Sequence, residues 1–99
     1  MEMIKTKNGG NLGIALKGRL DTTTAPQLEN ELRTALPGTT ELVFDMKDLA
    51  YISSAGLRVL LSAQKTMNRQ GNMIIRNVSP EIMDIFEVTG FVDILTIRE

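Results

Sequence analysis

Two adjacent hydroxyls, Ser53 and Ser54, lie in "DMKDLAYISSAGLRVLL" (Asp45 to Leu61), after the apolar pair Tyr51-Ile52 and before the small pair Ala55-Gly56. Together with the carboxylates Asp21 and Asp45 they are the side chains whose types and spacing allow chemistry. The chemistries open to them are nucleophilic attack, phosphoryl acceptance, acid pairing, or simple helix capping.

The 99-residue chain has no His and no Cys. The usual general base near neutral pH is therefore missing, and so are thiol nucleophiles, disulfides and zinc-cysteine sites. Ile52 stands where a nucleophile elbow requires Gly. Neither serine is followed three residues later by a lysine base. Catalysis by this chain is disfavoured, and a small phosphate or nucleotide hydrolase would have to work without His, a phosphate loop or a metal cluster. Gly9-Gly10 precedes a strand and lacks the GxxxxGK[ST] pattern, so it reads as a hairpin turn.

Capping is the plain alternative for the serine pair, because Ser is favoured at helix N-caps. For Asp21 the plain role is to cap or lead into a helix. Asp45 reads as capping a turn after its strand. Contact with a partner is the second role for both. Gly56 fits a cap less easily, since Gly in a first helical turn costs roughly 0.5–1 kcal/mol relative to Ala. Close approach of another molecule is one reason to keep it. A phosphoryl group on Ser54 would suit the helix, because the unpaired N–H groups of an N-terminus stabilise an anion. It would also add about −1.5 to −2 charges beside Asp21 and Asp45, enough to repel a partner matched to the neutral surface.

The elements that must position these groups follow from periodicity and punctuation. "MIKTK" and "LGIALKG" flank the turn Asn8 to Asn11 as a hairpin, with Leu12, Ile14 and Leu16 on one face and Gly18 and Asp21 closing the second strand. A helix follows with Thr24 as N-cap, Pro26 in the first turn and Gln27 completing a capping box. Leu28, Leu32, Ala35 and Leu36 form its inner face, and Pro37-Gly38 stops it. "ELVFDM" is a buried strand ending near Asp45. The second helix runs from Ser54 to about Gln70, with Leu57, Leu60, Leu61 and Met67 inward and Arg58, Gln64, Lys65 and Asn68 outward. "NMIIR" is a strand. "SPEIMDIFEVTG" is a helix capped by Ser79 and ended by Gly90, with Ile82, Ile85 and Phe86 inward. "VDILTI" is the last strand. Met67, Met73, Met83, Val88 and Phe91 read as core.

The order β-β-α-β-α-β-α-β predicts an α/β fold in one domain, residues 1–99. Its central sheet is mostly parallel, with an N-terminal β-hairpin. Sites in such sheets lie at the carboxyl ends of strands. Gly18–Thr24, Asp45–Ser54 and Asn77–Ser79 are expected to meet there.

A net charge of −1 speaks against a general nucleic-acid binder. The start "MEMIKTKNGG" lacks a signal-peptide core, and no stretch approaches membrane-spanning length. The expectation is a cytoplasmic protein with no nucleic-acid or membrane partner.

The segments "GRLDTTTAPQLE", "LVFDMKDLAYISSAGLRVLL" and "NVSPEIMDIFEVTG", with a closing strand, resemble the STAS domain, and within it the stand-alone bacterial anti-sigma-factor antagonists. The resemblance covers nearly the whole chain, and the central segment is its most specific part. It implies a non-enzymatic switch. An anti-sigma factor that is itself a serine kinase, holding its own ATP, binds the unmodified antagonist and releases it once a hydroxyl at the helix start is phosphorylated. A serine phosphatase resets the cycle, and the antagonist needs no cofactor or metal of its own. Carried onto this chain, the acceptor is Ser54. Ser53 is the alternative, standing where many members have Asp. The partner-facing residues are Asp21, Thr22, Thr23, Asp45, Tyr51, Ser53, Ser54, Ala55, Gly56 and Arg58. Members often continue into a further helix, so a chain ending at Glu99 leaves an edge for weak homodimer formation. The family also includes binding subunits that are never phosphorylated, and a constitutive interaction module is the second reading.

Overall fold

The computed structural model describes residues 1–98. Five strands form one sheet in the order β1-β2-β3-β4-β5. β1 (Glu2–Asn8) pairs antiparallel with β2 (Asn11–Leu20). β2, β3 (Glu41–Ile52), β4 (Asn72–Arg76) and β5 (Ile97–Arg98) are parallel. The helices α1 (Ala25–Ala35), α2 (Ser54–Gln70) and α3 (Pro80–Thr89) connect successive parallel strands. Right-handed crossovers between neighbouring strands place all three on the same face of the sheet.

Strand alternation settles which side chains meet the helices. Leu12, Ile14, Leu16, Leu42, Phe44, Met46, Met73 and Ile75 are buried, and they pack with Leu28, Leu57, Leu60, Ile82 and Phe86 into one core. The alternate residues Gly13, Ala15, Val43 and Ile74 are only half-buried and face away from the helices. The hairpin, the three helices and the mostly parallel sheet agree with the expected α/β order.

Two strands differ from expectation. β3 does not end near Asp45 but runs on to Ile52. It carries one more residue than β2 between the pairs Ala15–Asp45 and Lys17–Asp48, and another between Gly18–Leu49 and Arg19–Tyr51. These are β-bulges, and each adds a residue without adding a pair. The buried residues Met46, Leu49 and Ile52 are consequently three apart, a spacing that hides the strand from a search for period two. Asp45 therefore caps no turn beyond the strand. Its carboxylate accepts the Lys47 N–H at 3.0 Å, inside the first bulge.

The last strand is the second difference. Gly90 closes α3 in a left-handed conformation (φ 80°), and Phe91–Asp93 form a 3-10 turn, so only Ile97 of "VDILTI", with Arg98 after it, pairs with β4.

Some facings also change. Gln64 is buried, and Leu61 and Phe91 are half-buried. Val88, read as core, is 87% exposed. Among the described residues no helix is long and apolar enough to cross a membrane.

Candidate functional site

The end of β2, the loop into α1 and the start of α2 are tied together by the backbone. Ser53 N–H donates to the Leu20 carbonyl at 2.9 Å, extending the β2–β3 ladder into the helix start. Thr22, Ala25, Pro26, Glu29, Ala55, Arg58 and Val59 line a surface hollow of about 270 Å³ between the α1 and α2 ends.

The two serines have different jobs. Ser53 has extended backbone (φ −98°, ψ 175°) and is the N-cap of α2, its Oγ accepting the Gly56 N–H at 3.4 Å. Ser54 is the first helical residue; it is exposed, and its hydroxyl makes no hydrogen bond among the described residues. Capping and a free hydroxyl are thus divided between neighbours.

Gly56 is buried, and the chain's own packing explains it. A Cβ there would stand 2.7 Å from Leu20 Cγ, 2.9 Å from Ile52 Cγ1 and 3.0 Å from the Leu20 carbonyl oxygen. The close approach is by β2 and β3, and no second molecule is needed to account for it. Gly56 sets how near the serine pair sits to the end of β2.

Asp21 organises its loop. Its carbonyl accepts the Ala25 N–H at 2.8 Å. Oδ1 accepts the Thr23 hydroxyl at 2.7 Å, the Thr23 N–H at 3.0 Å and the Thr24 N–H at 3.2 Å. The Thr23 hydroxyl foremost, with these amides, holds the Asp21 carboxyl down at about 2, against the opposing effect of desolvation. The expected capping box is absent. Thr24 lies at the N-cap position without a side-chain cap. Its hydroxyl donates to the Arg19 carbonyl and accepts the Asp21 N–H, each at 2.8 Å. Asp21 takes over the capping that Thr24 and Gln27 were expected to do.

Arg19 is the residue missed from the sequence. Its guanidinium lies 4.3 Å from the centroid of the Tyr51 ring, and its Nε is 3.5 Å from Asp21 Oδ2. The stack exists because the second bulge sets Arg19 opposite Tyr51. The available signal was Arg two residues before Asp at a strand end.

Of the expected site residues, the structure gathers Asp21, Thr22, Thr23, Tyr51, Ser53, Ser54, Ala55 and Arg58 at one end of the molecule. Asp45 is not among them. It sits six residues before Tyr51, on the sheet face turned away from the helices, and accepts the Asn77 amide at 3.0 Å. The Asn77 amide, then the Lys47 N–H, lower its carboxyl pKa. Asp21 and Asp45 thus form no acid pair.

A sheet of this order with its helices on one face and a free serine at the start of α2 belongs to a recognisable class. The STAS domain model matches residues 2–99, and the chain belongs to that family. The chain is 35% identical over 99 residues to a putative anti-sigma factor antagonist, BtrV, of Bordetella bronchiseptica, covering 98% of this chain and 85% of the relative. It is 28% identical over 92 residues to the anti-sigma-B factor antagonist of Bacillus subtilis, covering 92% and 84%. Among solved structures it resembles the anti-sigma factor antagonist SpoIIAA in its unphosphorylated form (TM-score 0.78, 19% identity, 99% of this chain and 88% of that one). It resembles the phosphorylated form of the Bacillus cell fate determinant SpoIIAA equally well (TM-score 0.77, 20% identity, 99% and 92%). At those identities the structures support the fold alone; the relatives place the chain among the anti-sigma-factor antagonists.

Proposed function

We propose that this protein is a non-enzymatic, cytoplasmic partner switch, one domain over residues 1–99. In its unmodified state it binds an anti-sigma factor that is a serine kinase, and phosphorylation of Ser54 releases it. The observation carrying this reading is the free, exposed Ser54 hydroxyl beside a serine that already caps the helix. Modifying Ser54 breaks no hydrogen bond of the fold, and the helix N-terminus favours the added anion. The names of the relatives support the type of partner. That SpoIIAA has been solved both with and without its phosphoryl group supports a modification this fold tolerates. The partner surface comprises Asp21, Thr22, Thr23, Tyr51, Ser53, Ser54, Ala55 and Arg58, with Gly56 shaping it from beneath. A phosphatase completes the cycle.

The test is incubation with ATP and the serine kinase of the same cell, followed by intact mass and site mapping. One phosphoryl group is expected on the wild type and on Ser53→Ala, and none on Ser54→Ala. Ser54→Asp should weaken the kinase complex. No transfer to the wild type by an authentic partner would overturn the switch and leave a constitutive binding module. Transfer retained in Ser54→Ala but lost in Ser53→Ala would move the acceptor by one residue.

A further inference from the structure

Ser54 opens α2, and Arg58 follows it by one helical turn, so the two side chains share a face of the helix. Both are exposed. The other arginine near this end has partners: Arg19 is engaged by Asp21 and Tyr51. Arg58 enters no ion pair or hydrogen bond among the described residues. It lines the hollow with Thr22, Glu29 and Ala55, the last of these the chain neighbour of Ser54. Glu29, the carboxylate of that hollow, is paired with Arg33 and not with Arg58, so the guanidinium one turn from the neutral hydroxyl is uncommitted until that hydroxyl acquires charge.

We propose that Arg58 is the intramolecular counter-ion of a phosphoryl group on Ser54, so that modification withdraws a cation from the surface while adding an anion. The inference rests on the reading of Ser54 as the acceptor. A guanidinium presents a planar fork of N–H donors that matches two phosphoryl oxygens, which a lysine ammonium does not. The pair forms at the surface, so it is modest in strength and screened by salt. Its effect is nonetheless directional. Before modification Arg58 is available to an acidic group on a partner. Afterwards it is folded back onto its own helix.

The test installs phosphoserine at position 54 of the full chain during translation, without any kinase, and follows the phosphoryl group by phosphorus NMR as pH is varied. Arg58 should favour the dianion, so in Arg58→Gln the second ionisation should move up by about 0.2–0.7 of a pH unit. The difference should shrink in about 1 M salt. Arg58→Lys should fall between the two. Arg19, Asp21 and Glu29, the other charged groups around this helix start, are the same in all three proteins. Superimposable titrations of wild type and Arg58→Gln would overturn the pairing, and so would a difference that salt does not reduce. Because no kinase takes part, that failure is distinct from failure of the Ser54 reading, which the kinase assay alone decides.

Discussion

Neighbouring serines with different backbone conformations should answer differently to the same substitution. Ser53 supplies the side-chain cap at the start of α2, and removing such a cap costs about 1 kcal/mol. The Ser54 hydroxyl holds no group among the described residues. Ser53→Ala should therefore lower unfolding stability by about that amount, while Ser54→Ala stays within about 0.5 kcal/mol of wild type. Chemical denaturation of the two variants checks this, and the phosphoryl-transfer assay should rank them the other way round. The spacing of "YISSAG" does not reveal this division, since either serine is an acceptable cap. It is decided by the extended backbone at Ser53, which depends on the ladder bond to Leu20. The position where the resemblance expects Asp is thus a cap position, a role that Ser and Asp both fill.

Asp21 gives a second residue-level expectation. Its folded pKa of about 2 lies below the ordinary carboxylate value of about 3.9. Its stabilising contribution is therefore fully present above about pH 4 and disappears as pH falls through about 2. Thr23→Val removes the hydroxyl that contributes most, so it should raise the Asp21 pKa toward the ordinary value. Carboxyl carbon shifts followed by NMR titration measure this.

At the scale of elements, what was legible depended on regularity. The three helices follow from apolar spacing and from Ser79, Pro80, Gly71 and Gly90, and their bounds lie close to expectation. The strands were legible only where alternation was unbroken. "LGIALKG" and "NMIIR" keep it; the second half of β3 does not, because two bulges turn period two into period three. "VDILTI" was misleading for another reason. An apolar run following a left-handed glycine first closes a 3-10 turn, with the Ile94 N–H bonded to the Phe91 carbonyl at 3.0 Å. Leu95 is buried and Ile94 is exposed, so composition alone could not separate turn from strand.

The junction of β2, β3 and α2 carries its own prediction. Gly56→Ala would improve helix propensity but push a methyl group against Leu20 and Ile52, and the Leu20 backbone has little freedom to yield. Overpacking should prevail, lowering stability by about 1–3 kcal/mol. Denaturant unfolding would show it, and amide shifts should move at Leu20 and Ser53, where the helix start is fixed.

For the molecule as a whole, one layer of helices over one sheet means a single core supports everything. Phe44 lies at its centre on the middle strand and is 0% exposed. Phe44→Ala should cost about 3–5 kcal/mol. Against a total of about 5–15 kcal/mol for a typical domain, that is enough to lower the thermal midpoint by well over ten degrees. The arrangement also separates duties. The core is drawn from the strand middles and inner helix faces, whereas Ser54, Thr22, Thr23 and Arg58 at the strand ends are exposed. These four residues of the surface proposed to meet a partner are therefore free to change without loss of the fold, whereas Ser53 and Asp21 also hold the helix starts. The general location of that surface was legible in the sequence, because connections after parallel strands converge. Asp45 was misplaced because its strand was cut short, and Arg19 was overlooked because its stack on Tyr51 depends on a bulge.

The bulges of β3 also bear on insertions and deletions. Ala50 is the unpaired residue between the Gly18–Leu49 and Arg19–Tyr51 pairs. Losing its codon would let Tyr51 follow Leu49 directly, keeping Tyr51 outward and Ile52 inward in a regular ladder. Losing the codon for Val43, in the unbulged half, would turn either the preceding or the following residues to the wrong side of the sheet. Gene length near this helix start is thus adjustable by one residue at a bulge and rigid in the unbulged half of the same strand.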